Sequence, residues 1–421
     1  MLKIAVSERD ITPREPLDIC GFALRQNPSV GINDPLKIRF LSLRDSYQNR
    51  VLLGAADVLS FSRETFRNLR DDIHAVNDSL AEAHVAIATS HTHSGPATVL
   101  LRKCGKMDRG YLSWMKGEFV AAASQADVEK HRSVEVFLGT AEADVSINRR
   151  QGEAAEVDRK VRVISFRDPA SGKPLANIIN FACHPVVLGH ENRLVSADFP
   201  GLLCAQLEED TGAAWLFLNG AAGDINPRVA HSSDPADAQK VAEELAKAAR
   251  QAMAAAEPIK FGRMGWYRQN VQIPCRVPES VAEIESRVAM IHERFGLAPE
   301  IFANRVQHDK QMLANGTYPE SVGMELTLLT FGRALGILFV PGELFSSIGL
   351  RAQRLAAPLP LVISGFSNGS VGYLSDRQAY VDGGYEPYFA NFFYDFPEFD
   401  PSLEDSILEG VQRLLKASRN G

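Results

Sequence analysis

The sequence has no apolar run long enough to span a membrane, no excess of positive charge and no closely paired cysteines. A membrane helix needs about 18 consecutive apolar residues, so no membrane partner is predicted. The net charge of -7 lacks the basic character of nucleic-acid-binding proteins, so no nucleic-acid partner is predicted. The five cysteines are scattered without a CxxC spacing, which indicates reduced, buried thiols in a cytoplasmic protein. The N-terminus, MLKIAVSERDITP, lacks a basic region followed by a long apolar one, so no export signal is expected.

What is present is the composition of a large globular domain, with 45% hydrophobic and 23% charged residues in 421. Short β-compatible runs alternate with helical patterns over 62–77, 111–126 and 234–256, and 134–147 alternates like one strand. This predicts an α/β fold with mixed β-sheets and flanking helices. No repeat or low-complexity linker interrupts the chain, so we expect a single domain over 1–421. A segment near 278–315, rich in Glu, Arg and Gln, is expected to be a helical insertion.

The first candidate site follows an apolar run at 85–88, where Thr89 and Ser90 lead into His91-Thr92-His93. In an extended chain, residues two apart face the same side, so the two imidazoles can point at one spot. A His-x-His pair at a strand end is a common start of a metal site. Two hydrogen-bonded loop histidines are the alternative.

Other apolar runs also end in residues that bind metals. His184 follows ANIINFA, Asp224 follows WLFL, Glu343 follows the run 335–340, and Tyr373 follows the run 359–364. Ligands collect at the carboxyl ends of strands in open α/β sheets, which predicts a metal site at the strand ends. Two histidines and one carboxylate form a catalytic zinc set with a position left for water or substrate.

Each of these residues also has an ordinary structural explanation. His184 alone could be a core histidine hydrogen-bonded to a carbonyl, and Glu343 could be an acid at a helix N-terminus. Asp224 and Asn226 could be ordinary turn residues. Tyr373 could be a half-buried side chain, and Arg149 a solvated surface charge. The recurrence of one layout along the chain favours the metal site over these separate explanations.

The ordered motifs resemble those of the neutral/alkaline (non-lysosomal) ceramidases. They are DITP at 10–13, GINDPL at 31–36, SHTHSGP at 90–96, NFACHP at 180–185, GDINPR at 223–228, PGELFSSIG at 341–349 and YLSDRQAYVDGGYE at 373–386. The resemblance implies a single Zn²⁺ held by His91, His184, Glu343 and Tyr373. It also implies that Arg149 lies at the active site and Tyr385 near the scissile group. From spacing alone, whether His91 or His93 is the direct ligand stays open.

The sequence departs from this family pattern at two positions of one motif. Similar ceramidases have GDVSPN, with a serine considered essential for amide cleavage, where this chain has Asn226, and Arg228 replaces the final Asn. A carboxamide cannot serve as that nucleophile or proton carrier. The family's C-terminal sandwich domain is also not recognised, and ceramide is not expected to be the substrate.

These observations predict a zinc-dependent hydrolase that uses metal-activated water on a small polar substrate. The resemblance alone favours cleavage of an amide-type bond. His93 or Asp224 is expected to act as base or to support a ligand, and Arg149 and Tyr385 to act at the reacting group, with Asn226 and Arg228 binding substrate. Hydrolysis of a lactone, ester or glycosidic bond is one alternative. A zinc-binding homologue without catalysis is another. The sequence leaves homo-oligomer formation open.

Overall fold

The computed structural model describes residues 1–23, 25, 27–152, 154–296 and 298–420. Its strands are β1 (Leu2–Asp10), β2 (Gly31–Ile32), β3 (Lys37–Arg44), β4 (Arg50–Ala56), β5 (His84–Thr89), β6 (Arg132–Glu142), β7 (Ser146–Asn148), β8 (Lys160–Arg167), β9 (Pro174–Phe181), β10 (Leu194–Val195), β11 (Ala214–Asn219), β12 (Ile225–Pro227), β13 (Glu257–Ile259), β14 (Met264–Pro274), β15 (Ser321–Phe331), β16 (Leu335–Phe339), β17 (Glu343–Leu344), β18 (Leu361–Ser364) and β19 (Tyr373–Leu374).

The helices are α1 (Arg63–His74), α2 (Asp78–Ala81), α3 (Arg109–Val128), α4 (Asp198–Thr211), α5 (Pro235–Ala254), α6 (Val281–Phe295), α7 (Ala303–Ala314), α8 (Ser346–Ala356), α9 (Arg377–Asp382), α10 (Tyr385–Tyr388), α11 (Ala390–Phe393) and α12 (Leu403–Asn420), with a 3-10 turn at Pro299–Phe302. α1 begins where Ser62 accepts a hydrogen bond from Thr65 N at 3.0 Å, as an N-cap does. No helix in the described part of the chain is both long and apolar enough to cross a membrane.

The larger sheet has nine strands, in the order β11-β9-β8-β6-β1-β3-β4-β5, with β13 paired to β6. Its interior pairs are antiparallel, whereas the end pairs β11·β9 and β4·β5 are parallel. A second sheet, β14-β15-β16-β18, has four strands. The predicted class, α/β with mixed sheets and flanking helices, is confirmed.

Alternation of side chains along the strands builds stacked layers. In β4, Leu53 joins the core between the two sheets, whereas Leu52 joins the core under α1 and α3. In β16, Ile337 faces the core between the sheets and Leu338 faces the core under α8 and α12. The helices α4 and α5 cover the other half of the large sheet. The two sheets therefore pack face to face, with helices on both outer surfaces.

The strand predicted over 134–147 is two strands, which corrects that expectation. β6 continues the large sheet, but β7 leaves it and pairs with β12, placing Asn148 opposite Ile225. The chain turns between β6 and β7 because β12, the partner of β7, lies outside the large sheet, after its edge strand β11. Periodicity continues across the break and cannot reveal it.

The two edges of the large sheet approach each other at their carboxyl ends. Asn219, the last residue of β11, donates from Nδ2 to the carbonyl of Ser90, just beyond β5, at 3.0 Å, and to that of Cys183 at 3.0 Å. The amide of Gly365, after β18, donates to the carbonyl of Asn219 at 3.0 Å. The Asn219 side chain thus joins the ends of β5 and β11, which lie at opposite edges of the large sheet. The end of β18, from the second sheet, contacts the same residue.

Candidate metal centre

Backbone hydrogen bonds hold the strand-end segments that carry the predicted ligands. The amide of His91 donates to Val58 O at 3.1 Å, that of His184 to Ile225 O at 2.9 Å, and that of Glu343 to Gly372 O at 2.9 Å. His91 has a backbone φ of 70°, in the left-handed region that residues other than glycine seldom adopt. All three side chains are buried. The structure therefore brings together His91, His184 and Glu343.

The rings of His91 and His184 are held in the same way. Nδ1 of His91 contacts the carbonyl of Leu59 at 2.8 Å, and Nδ1 of His184 contacts that of Ala222 at 2.6 Å. A carbonyl only accepts, so both Nδ1 atoms carry the proton and donate. This leaves each Nε2 facing Oε2 of Glu343, at 3.4 Å from His91 and 3.1 Å from His184.

This cluster of acceptor atoms fits a cation. Burial lowers the pKa of His184 to about 4, so its Nε2 offers a lone pair at neutral pH. Burial raises the pKa of Glu343, but the imidazoles of His91 and His184 outweigh it and hold that pKa well below its ordinary value. Electron-rich atoms this close together need a positive charge between them, which a proton or a metal ion supplies. Two histidines and a carboxylate are one of the ligand sets found in catalytic zinc sites.

His93 completes a group of three histidines whose ligating nitrogens lie within 4.8 Å of one another. Its ring centroid is 5.1 Å from that of His91 and 5.7 Å from that of His184. Both of its ring nitrogens are buried without a hydrogen-bond partner. Burial and the neighbouring imidazoles lower its pKa well below the ordinary value. His93 is therefore a neutral, unengaged base beside the other two.

Tyr373 and Tyr385 lie at the same site. β19 pairs with β17 in a register that places Tyr373 beside Glu343. The Tyr373 ring stacks parallel to His184 with centroids 6.4 Å apart, and its hydroxyl accepts from Nη2 of Arg149 at 3.2 Å. The ring of Tyr385 packs edge-on against Tyr373 at 5.7 Å.

Arg149 is held by several acceptors. Nη2 donates to the carbonyl of Gly223 at 2.7 Å, Nη1 donates to Oδ1 of Asn226 at 3.2 Å, and Nε donates to Oε1 of Glu386 at 2.9 Å. Burial lowers the pKa of Arg149, but Tyr373 and Glu386 outweigh it and raise the pKa above its ordinary value. The predicted residues Arg149, Tyr373 and Asn226 therefore form one hydrogen-bonded group with Glu386.

Asp224 and Arg228 pair with residues that are not among the predicted metal ligands. Asp224 accepts from the backbone and hydroxyl of Ser346 at 2.8 and 2.9 Å, and from Nδ2 of Asn148 at 2.6 Å. These bonds tie the turn after β11 to the start of α8, and burial raises the pKa of Asp224. Arg228 lies at the surface, where Nη2 pairs with Asp144 at 2.7 Å.

Sequence reasoning missed two residues of the site, Glu386 and Tyr394. Tyr394 donates its hydroxyl proton to Oε1 of Glu343. Both residues lie in the aromatic-rich segment 386–399, whose phenylalanines pack in the core. Glu386 directly follows the motif tyrosine Tyr385, which is the one signal that pointed to it.

Comparison with known proteins gives a consistent result. The family model described as neutral/alkaline non-lysosomal ceramidase, N-terminal, matches residues 2–260. The chain is 25% identical over 249 residues to neutral ceramidase 2 of Arabidopsis thaliana, a match covering 53% of this chain and 31% of that protein. It is 28% identical over 205 residues to neutral ceramidase B of Dictyostelium discoideum, covering 44% and 28%. These matches span less than a third of the curated relatives.

Solved structures match over the whole chain. The crystal structure of neutral ceramidase from Pseudomonas aeruginosa has a TM-score of 0.77 at 18% identity, covering 100% of this chain and 74% of that one. A ceramidase complexed with C2 gives a TM-score of 0.78 at 16% identity, covering 100% and 75%. At this level of identity the likeness establishes a shared fold.

Proposed function

This chain belongs to the neutral/alkaline non-lysosomal ceramidase family, and from that premise we propose that it is a metal-dependent hydrolase of an amide-type C–N bond. The family that the motifs predicted is thereby confirmed. The activity and the substrate are proposals for this chain.

His91, His184 and Glu343 are the proposed metal ligands, and Zn²⁺ is the proposed metal. Histidine ligands of zinc typically donate their second ring nitrogen to a carbonyl or carboxylate, as both His91 and His184 do here, whereas His93 does not. This supports His91 rather than His93 as the ligand from the histidine pair. By family resemblance, Tyr373 is the fourth group near the metal. When bound, zinc would supply Lewis acidity at the scissile carbonyl and lower the pKa of water.

His93 is the proposed general base. Its ring nitrogens have no hydrogen-bond partner, and its lowered pKa keeps it neutral at pH 7. A neutral imidazole held beside the ligands can accept a proton from attacking water and return it to the leaving amine. In this scheme Asp224 positions the turn that holds Arg149, since the backbone of Arg149 donates to Asp224 O at 2.9 Å.

Arg149 is the proposed anion-binding group. Its guanidinium remains charged and lies against Tyr373, so it can stabilise negative charge on a substrate oxygen or hold a carboxylate. Asn226 takes part through its amide oxygen and offers no hydroxyl for nucleophilic attack. We therefore propose a small polar amide, rather than ceramide, as the substrate.

The observation that carries the proposal is the pair of carbonyl-bound histidines directed at one carboxylate oxygen. The test is turnover on a panel of small N-acyl compounds, esters and lactones, with zinc-loaded protein, chelator-treated protein and protein given zinc again. His184→Ala should abolish turnover, whereas replacement of the exposed His308 in α7 should not. A zinc-binding protein that turns over none of the panel would favour a non-catalytic homologue, for which the loss of the family's serine at Asn226 is the supporting observation.

A further inference from the structure

The two oxygens of the Glu343 carboxylate have different partners. Oε2 faces Nε2 of His91 and of His184, whereas Oε1 accepts a hydrogen bond from the hydroxyl of Tyr394. Tyr394 lies directly after α11, in a part of the chain where no ligand motif points to a metal site. Its hydroxyl contacts the carboxylate oxygen that the two histidines do not face.

We propose that Tyr394 is a positioning residue for the metal ligand Glu343. The last torsion of a glutamate side chain is broad, so an unrestrained carboxylate can turn and exchange its oxygens. A hydroxyl that holds Oε1 fixes this torsion and keeps Oε2 directed between the two imidazoles. It also satisfies an oxygen that would otherwise be buried without a partner, which is costly. The inference rests on the metal site of the proposed function.

The segment that carries Tyr394 is itself fastened in place. The amide of Tyr394 donates to Asn391 O at 3.1 Å, and that of Phe396 donates to the same oxygen at 2.9 Å. The next residue, Asp395, accepts two hydrogen bonds from Arg102, at 2.8 and 2.7 Å. The hydroxyl is therefore presented by a turn with little freedom, as a positioning role requires.

The neighbouring tyrosine Tyr373 does not perform this task. Its hydroxyl accepts from Arg149, and it lies beside Glu343 through strand pairing. The two tyrosines are carried by different elements, β19 and the turn after α11. Loss of one hydroxyl should therefore leave the contacts of the other unchanged.

The experiment is a zinc affinity measurement on Tyr394→Phe by competition with a chromophoric chelator. Removal of a group that orients a metal ligand typically weakens metal binding about 10–100-fold, and we expect a loss in that range. The matched control is Tyr388→Phe, which removes a hydroxyl from the same segment that donates to Tyr380 O at 2.6 Å. The control should bind zinc like the wild type. Thermal melts of the metal-free proteins compare folding independently of zinc.

The comparison of the two variants separates positioning from general packing. Tyr394→Phe binding zinc as tightly as Tyr388→Phe, or both variants losing zinc affinity equally, would overturn the inference alone. Wild-type protein that binds no zinc would overturn the proposed metal site and the inference with it.

Discussion

Replacing Glu386 by glutamine removes the negative charge that two guanidinium groups share. Glu386 accepts from Nε of Arg149 through one oxygen and pairs with Arg150 through the other. The glutamate side chain is 5% exposed, and those of Arg149 and Arg150 are 22% and 12% exposed. Little water is available to replace the lost charge, so the effect on stability should be large.

The size of the effect follows from this burial. Breaking a buried ion pair by removing one partner costs about 3–5 kcal/mol. Glutamine keeps one acceptor oxygen for one of the arginines, so we expect the lower end, a loss of about 3 kcal/mol in the free energy of unfolding. Because Arg149 also contacts Tyr373 and Asn226, the same substitution should lower turnover.

The pH dependence of this loss has a definite sign. Burial raises the pKa of Glu386, but Arg149 and Arg150 outweigh it and lower the pKa below its ordinary value of 4.5. A carboxyl group with a lower pKa in the folded state contributes stability above its unfolded pKa and loses it as the pH falls through the folded pKa. The difference between wild type and Glu386→Gln should be full at pH 7 and should shrink below about pH 4.5.

The assay is urea unfolding of the metal-free proteins across this pH range. The control is Glu325→Gln, because Glu325 and its partner Arg268 are 38% and 57% exposed and lie 3.8 Å apart. An exposed pair contributes about 0–1 kcal/mol. A Glu386→Gln loss no larger than that of the control, or one that stays constant down to pH 3, would refute the reasoning.

Further predictions concern the metal and the chemistry. Elemental analysis of zinc-reconstituted protein should find about one zinc per chain, and His184→Ala should lose it because a ligating nitrogen is gone; a wild type without stoichiometric metal would contradict this. Ceramide in detergent should be hydrolysed weakly or not at all, because the carboxamide of Asn226 has no hydroxyl; robust release of fatty acid would show otherwise. On the substrate that the panel identifies, His93→Ala should lose about 100–10,000-fold in turnover, as the loss of a general base does, and retain zinc, whereas Asn226→Ala should lose less. If Asn226→Ala is as inactive as His184→Ala while it keeps its zinc, Asn226 has a direct role.

The strand-end residues could be predicted from the sequence because their positions follow from short-range pattern. An apolar run that ends in His, Asp or Glu marks a strand and the side chain beyond it, and the structure does bring together His91, His184 and Glu343. The order of the strands could not be predicted in this way. Nothing local indicates that β5 and β11 lie at opposite edges of one sheet and yet meet.

The supporting contacts of the ligands were also beyond local pattern. The carbonyls of Leu59 and Ala222 orient the two histidines, but every residue has a carbonyl, so the sequence offers no signal. Tyr394 was hidden among aromatic residues that mostly form a core. Asp224 was predicted to be a base or to support a ligand, and no local pattern indicated that Ser346 and Asn148 would donate to its oxygens.

The meeting of the two sheet edges has a consequence for the order of folding. His91 leaves β5 at one edge, His184 leaves β9 beside the other, and Glu343 lies in β17, just after β16 of the second sheet. The three residues become neighbours only after the long-range strand pairs have formed, and such non-local pairings are the slow steps of folding. A chain folded over one edge alone carries at most part of the cluster. The proposed metal site is therefore complete only at the end of assembly, and a metal bound there would report that both edges and both sheets are in place.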